Sequence, residues 1–85
     1  MPIVSRFLGI AIVMFYADHQ PAHFHARYGE AEVLIEIESG RVHGSFPPRA
    51  LRLVLEWRDL HLQELQDDWE RCLAQEPLHP IAPLE

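Results

Sequence analysis

Residues 1–46 have patterns typical of β-strands, with strict alternation of apolar and polar positions in residues 23–28 and 31–38. Five such segments follow one another: residues 3–7, 10–16, 23–28, 31–38 and 41–46. Val, Ile and aromatic residues are frequent in them, and Gly9 separates the first two as a bend or bulge. The pattern predicts an antiparallel β-meander of four or five short strands over residues 1–46.

Turn residues predict how neighbouring strands are aligned. Residues 29–30, Gly-Glu, fit a two-residue hairpin loop, which places His23 opposite Glu36 and all apolar side chains of both strands on one face. Residues 39–40, Ser-Gly, indicate a second tight turn of the same length, which would place His43 opposite Glu36 from the other side.

From Pro47 onward the apolar positions follow the period of a helix. A helix over residues 47–75 would be roughly 40 Å long, which exceeds the strands it covers. Arg58 would also point into its apolar stripe. The pattern therefore predicts one long C-terminal helix, kinked or broken along its length, packed on one face of the sheet. Residues 76–85 contain three prolines and are expected to form an extended tail, which completes an α+β fold.

The composition excludes several classes of protein. The 85 residues include one cysteine, Cys72, so no internal disulfide is possible, and no zinc-finger spacing occurs. The longest apolar run, residues 7–16, is shorter than the roughly 20 residues that a membrane span needs. We therefore expect a single cytoplasmic domain over residues 1–85 with no membrane partner.

The net charge of −6 is unevenly distributed. Residues 1–55 contain five arginines and five acids, whereas residues 56–85 contain two arginines and eight acids. The helical third repels nucleic acid, so any contact with nucleic acid is expected only through the neutral sheet.

The polar face of the predicted sheet carries a candidate metal site. In the predicted alignment Glu36 lies between two histidines, and a third lies beside them. Imidazole and carboxylate ligands suit a divalent transition metal. The predicted ligands are His23, His25, Glu36 and His43.

Two other interpretations of this face remain open. In the first, His23 and His25 act as general acid and base on a phosphate ester such as RNA, Arg27 neutralises the phosphate charge, and no metal or other cofactor is needed. In that case the candidate contacts to a phosphate or a partner are His19, Arg41 and His43. In the second, the face is an ordinary solvated or partner-covered surface of ion pairs.

Short motifs occur in a specific combination along nearly the whole chain. They are Arg6-Phe7 with Gly9-Ile10, Asp18-His19-x-Pro21-x-His23-Phe24-His25-Ala26-x-Tyr28-Gly29, Arg49-Ala50-Leu51, Glu56-Trp57, His61 with Glu64-Leu65, Trp69, and the tail from Pro77 to Leu84. In this combination the chain resembles the uncharacterised bacterial family named domain of unknown function 4160. It departs from many members at Leu8, Gln20 and Ala22, where they have Tyr, Asn and Pro.

The resemblance implies a genetic context and no catalytic residues, because the family has no established activity. Such proteins are often encoded beside another short domain, in pairs that are suggested to be toxin–antitoxin-like. We therefore expect a cytoplasmic protein-binding module in a two-protein complex, or in a homo-oligomer. The alternatives are a small ribonuclease-like enzyme and a metal-binding domain, so whether the chain is an enzyme stays open.

Overall fold

The computed structural model describes residues 2–85 and contains five strands and two helices. The elements are β1 (Ile3–Phe7), β2 (Ile10–Val13), β3 (His23–Tyr28), β4 (Ala31–Glu36), β5 (Val42–Ser45), α1 (Pro48–Leu60) and α2 (Leu62–Ala74). The strands form one antiparallel sheet in the order β1-β2-β3-β4-β5. The predicted α+β class and the meander of the sheet are confirmed.

The alignment of β3 with β4 is also confirmed. His23 lies opposite Glu36 and Tyr28 lies opposite Ala31, as a two-residue loop requires. Gly29 has a φ of 60°, in the left-handed region that glycine adopts without strain. This hairpin follows from local sequence alone, because the loop and the alternation of both strands favour the same alignment.

The predicted two-residue turn between β4 and β5 is wrong. His43 lies opposite Leu34 rather than Glu36, because β4 ends at Glu36 and the turn spans residues 37–40. The cause is a tertiary contact: the Arg58 guanidinium on α1 donates hydrogen bonds to the carbonyl oxygens of Ile37 and Glu38, at 2.8 and 2.7 Å. The shift is two residues, so His43 stays on the predicted polar face.

The helical segment is two helices and not one long helix. The break, which was predicted without a position, falls at His61, whose φ and ψ of −124° and 29° are not helical. Its backbone N–H still donates a hydrogen bond to the Trp57 carbonyl oxygen, and its Nδ1 lies 2.6 Å from Glu64 Oε1 in the first turn of α2. Each helix has 13 residues, or about 20 Å, which matches the sheet it covers.

Both helices cover the apolar face of the sheet. Trp57 of α1 is fully buried, with ring centroids 5.5 Å from Phe7 and 5.8 Å from Phe24. The tail closes the core from the side: its Ile81 donates a backbone hydrogen bond to Val4 at 2.7 Å and is itself buried. Within residues 2–85, neither helix is long and apolar enough to cross a membrane.

Candidate functional site

The face of the sheet opposite the helices carries most of the residues singled out in the sequence. We call this surface the histidine face; its members are His23, His25, Arg27, Glu32, Leu34, Glu36 and His43. The loop between β2 and β3 reaches over one end of it and adds Asp18 and His19. The side chains on this face form three groups, centred on His23, on Glu32 and on Glu36.

His23 is buried, whereas the sequence pattern placed it on an open face. Its side chain is only 5% exposed because the β2–β3 loop folds over it and the Trp69 ring packs 5.2 Å away. Its Nδ1 lies 2.7 Å from the Pro21 carbonyl oxygen, and its Nε2 lies 2.8 Å from Asp18 Oδ2. His23 is therefore held at both ring nitrogens.

Asp18 also belongs to this candidate site, although it is not among the site residues predicted from the sequence. Burial by itself would raise its pKa, but the His19 backbone N–H, at 2.9 Å, and the nearby His23 outweigh burial and hold the pKa below its usual value. Asp18 is therefore ionised at neutral pH. The available signal was an acidic residue in a short loop five residues before the first histidine of the strand.

His25 lies beside this pair and connects it to the second group. Its Nε2 is 4.0 Å from Asp18 Oδ2, and its Nδ1 is 3.2 Å from Glu32 Oε2. The edge of its ring meets the Phe15 ring at 4.8 Å. Burial, and then the neighbouring His23, lower the pKa of His25, so the imidazole is neutral at pH 7.

Arg27 is partly exposed but is held by neighbouring side chains. Its Nε donates to Glu32 Oε1 at 2.8 Å, and its guanidinium carbon lies 6.0 Å from the centre of the Phe15 ring. Glu32 therefore holds Arg27 with one oxygen and His25 with the other.

Glu36 and His43 form a separate pair. Glu36 Oε2 lies 2.7 Å from His43 Nε2, and the Ser39 hydroxyl donates to Oε1 at 3.1 Å. The bond to His43 is the main reason that the pKa of Glu36 is lowered, and the Ser39 hydroxyl and nearby Arg41 act in the same direction. The structure thus divides the four predicted metal ligands into two pairs. Among residues 2–85, the one compact group of three metal-ligating side chains is Asp18, His23 and His25.

The other predicted contact residues are the most open ones. The His19 side chain is 93% exposed, with Nδ1 3.2 Å from Asp18 Oδ1. His43 is half exposed and Arg41 is exposed. Nothing in the structure tests the roles predicted for His19, Arg41 and His43.

A second surface lies on α2 and the tail. We call it the acidic surface; its exposed members are Glu64, Asp67, Glu70 and Glu76. Of the two arginines in this third of the chain, Arg58 is bonded to the β4–β5 turn, and Arg71 lies 3.7 Å from Glu76. Most of the negative charge is therefore directed toward solvent.

Asp68 is the unusual residue of this surface. It is 1% exposed; its Oδ1 accepts the His79 backbone N–H at 2.9 Å, and its Oδ2 has no hydrogen-bond partner. Burial raises its pKa, and the bond from His79 offsets this only in part. Asp68 lines a cavity of 170 Å³ together with Glu64, Asp67, His79, Pro80 and Ile81. An orphaned buried carboxylate oxygen costs stability, so it calls for a positive partner.

Cys72 is not a candidate nucleophile. It is a free, fully buried thiol, and burial, reinforced by the nearby Asp68 and Asp18 carboxylates, raises its pKa to about 11. Thiols react as thiolates, so this side chain acts as a small apolar group in the core.

Comparison with known proteins agrees with the resemblance noted in the sequence. Neither the curated proteins nor the solved structures contain a significant match. A family model described as a domain of unknown function, DUF4160, matches residues 9–70. This stretch includes β2 to β5, α1, the first part of α2 and every side chain of the histidine face. The chain is a member of the DUF4160 family.

Proposed function

We propose that this protein is a cytoplasmic protein-binding module, one half of a two-protein complex of toxin–antitoxin type. Its partner is the product of a neighbouring small gene and binds through a basic surface. The observation that carries the proposal is the acidic surface with its orphaned Asp68, because both features favour a cationic protein ligand.

The charge distribution supports a basic partner. Residues 56–85 carry the whole net charge of −6, while the rest of the chain is neutral. A one-sided field of this kind steers an oppositely charged partner into a defined orientation and accelerates association. It also repels nucleic acid, so a protein is the favoured ligand for this side.

Asp68 supplies a specific point of attachment. Asp68, whose Oδ2 is buried and has no hydrogen-bond partner, lines a cavity together with Glu64 and Asp67. A lysine or arginine side chain of the partner would satisfy that oxygen and neutralise the buried charge. Charged pairs of this kind, once desolvated, decide specificity at interfaces.

The ribonuclease-like alternative has less support. A general acid or base must reach the substrate, whereas His23 is buried and bonded at both nitrogens. Arg27, the predicted phosphate contact, is engaged by Glu32. Metal binding, the other alternative, would use a different set of ligands from the one predicted from the sequence.

The complex is tested by co-expression with the neighbouring gene product. Size-exclusion chromatography with light scattering should show a stable heteromeric complex, and calorimetry should show an affinity that weakens as salt increases. The double variant Asp67→Lys/Glu70→Lys should weaken binding at least tenfold. The matched control, Glu30→Lys/Glu56→Lys, changes net charge equally at exposed positions outside the acidic surface and should bind within about threefold of wild type, through the long-range field alone.

Three outcomes would contradict the proposal. A chain that stays monomeric at micromolar concentration beside its neighbour's product is not half of a complex. A self-associated chain without affinity for that product is a homo-oligomer instead. Equal weakening by both double variants would show that the acidic surface is not the binding site.

The toxin–antitoxin type has its own test in a bacterial host. Induced expression of one of the two proteins alone should arrest growth, and co-expression of the other should relieve the arrest. Harmless expression of each protein alone would leave a binding module but remove the toxin–antitoxin assignment.

A further inference from the structure

Three side chains at one end of the histidine face present ligand atoms to a single point. Each of Asp18, His23 and His25 has a ligand atom within 4.8 Å of one on the other two, and Asp18 Oδ2 lies 2.8 Å from His23 Nε2 and 4.0 Å from His25 Nε2. We propose that Asp18, His23 and His25 together bind a divalent first-row transition-metal ion, such as Zn²⁺ or Fe²⁺. This site is independent of the partner surface and differs from the ligand set predicted from the sequence.

The hydrogen bonds around the two imidazoles select the tautomer that a metal needs. In each ring Nδ1 faces an acceptor: the Pro21 carbonyl at 2.7 Å for His23, and the Glu32 carboxylate at 3.2 Å for His25. A proton on Nδ1 leaves the lone pair of Nε2 for the ion, and both Nε2 atoms face Asp18. Metal-ligating histidines in proteins are typically held in this way, by a carbonyl or carboxylate on the other nitrogen.

The contact between Asp18 and His23 indicates where a cation would bind. With Nδ1 protonated, His23 Nε2 and Asp18 Oδ2 would be two acceptors only 2.8 Å apart. Two lone pairs at that distance require a cation between them, either a second proton or a metal ion. Since the His25 Nε2 lies 4.0 Å from the same oxygen, an ion placed there would have a third ligand within reach.

The movement required for binding is small. Ligand atoms about 2.0–2.2 Å from a tetrahedral ion lie roughly 3.3–3.5 Å from one another. The Asp18–His23 separation would therefore open slightly from 2.8 Å, and the Asp18–His25 separation would close slightly from 4.0 Å. The rings keep their packing meanwhile, since Trp69 supports His23 and Phe15 supports His25.

Charge and access also suit a divalent ion. Asp18 supplies a negative charge that binds the ion directly, and Glu32, whose own charge is paired with Arg27, accepts the Nδ1 proton of His25. His23 is buried, whereas the Asp18 and His25 side chains are 18% and 17% exposed, which leaves an entry path. Two imidazoles with one carboxylate prefer transition ions over Mg²⁺ or Ca²⁺, which favour all-oxygen sites.

The test uses the full untagged chain after removal of metal with a chelator. Titration with Zn²⁺ should show one equivalent bound and a rise in melting temperature, and Co²⁺ should give the visible absorption of a nitrogen- and oxygen-ligated ion. His25→Ala should weaken Zn²⁺ binding at least 100-fold. Glu32→Gln, which weakens the acceptor behind His25, should weaken it by about 10- to 100-fold.

The matched comparison is His43→Ala, which removes a histidine from the same face outside the three-ligand group. It should bind Zn²⁺ within twofold of wild type, and circular dichroism should confirm that all variants are folded. Absence of stoichiometric binding to the wild-type chain would overturn the proposal. So would unchanged affinity in His25→Ala, or a loss in His43→Ala as large as that in His25→Ala.

Discussion

The histidine face and the acidic surface differ in how their buried titratable side chains are hydrogen-bonded. On the histidine face nearly every charged or titratable side chain has a partner, as in the chain of contacts from Asp18 through His25 to Glu32. On the acidic surface the exposed carboxylates Glu64, Asp67 and Glu76 also have side-chain partners, but the buried Asp68 has an oxygen with no hydrogen-bond partner. A network in which each polar group has a hydrogen-bond partner is rigid and favours the binding of a small ion, whereas a buried carboxylate without a partner favours the binding of a second protein.

The largest expected effect comes from the residue that touches both surfaces. Trp69 is a buried residue of α2 whose ring packs on His23. Trp69→Ala should lower the free energy of unfolding by about 3–5 kcal/mol, because it leaves a cavity at the junction. Urea denaturation measures the loss. The control Leu60→Ala, at an exposed leucine, should lower the free energy of unfolding by less than about 0.5 kcal/mol. A loss of similar size in the two variants would show that Trp69 does not connect the two surfaces.

A smaller loss of stability is expected from a substitution in β5, and its structural effect should be confined to the histidine face. Gly44 in β5 has a φ of 114°, and a Cβ there would lie 3.2 Å from the Glu32 carbonyl oxygen. Gly44→Ala should therefore cost about 2 kcal/mol and disturb the strand that carries Glu32. Chemical shifts should change at His25 but not on α2. Wild-type stability in this variant would mean that β5 adapts without strain.

On the acidic surface we expect a gain in stability. The pKa of Asp68 is raised in the folded state by burial, so the folded state favours the neutral acid. Wild-type stability should therefore fall as pH rises above 3.8, the ordinary value, and through the folded-state pKa. Asp68→Asn lacks this loss and should be more stable than wild type at pH 7, by on the order of 1 kcal/mol.

The measurement is urea unfolding of both proteins at pH 3.5 and pH 7. The difference between them should be present at pH 7 and shrink at pH 3.5. Under the proposed function the same variant should bind its partner more weakly, because it has lost the buried charge. A variant that is less stable at pH 7 would show that the Asp68 carboxylate has a partner in solution.

The smallest effect concerns the Glu36–His43 pair. The bond from His43 is the largest cause of the lowered pKa of Glu36, so His43→Ala should raise that pKa toward its ordinary value. The titration of the Glu36 carboxyl carbon by NMR measures the shift. Stability should hardly change, because His43 is half exposed and solvent weakens its attraction to Glu36. An unshifted titration would mean that Ser39 and Arg41 are enough to hold the carboxylate.

Local patterns predicted the features that local contacts determine. The β3–β4 alignment followed from Gly29 and strict alternation, and both are confirmed by the pairing of His23 with Glu36. The next turn could not be predicted, because Arg58, about 20 residues away, determines its shape. Burial of His23 likewise depends on Trp69 and on the fold of the β2–β3 loop. Asp18 was missed for the same reason, since only the folded loop brings it onto the sheet.

The pure meander has a consequence for the order of folding. Every side-chain hydrogen bond and ion pair of the histidine face joins residues close in the chain: five residues separate Asp18 from His23, and seven separate His25 from Glu32. Hairpins with short loops close quickly, because little chain entropy is lost. The tail beside Asp68 is instead held at Ile81 by a hydrogen bond to Val4, at the other end of the chain, so it can dock only after β1 is in place. We therefore expect hydrogen exchange to show the histidine face protected first and the acidic surface last, so that the proposed ion site forms before the proposed docking site.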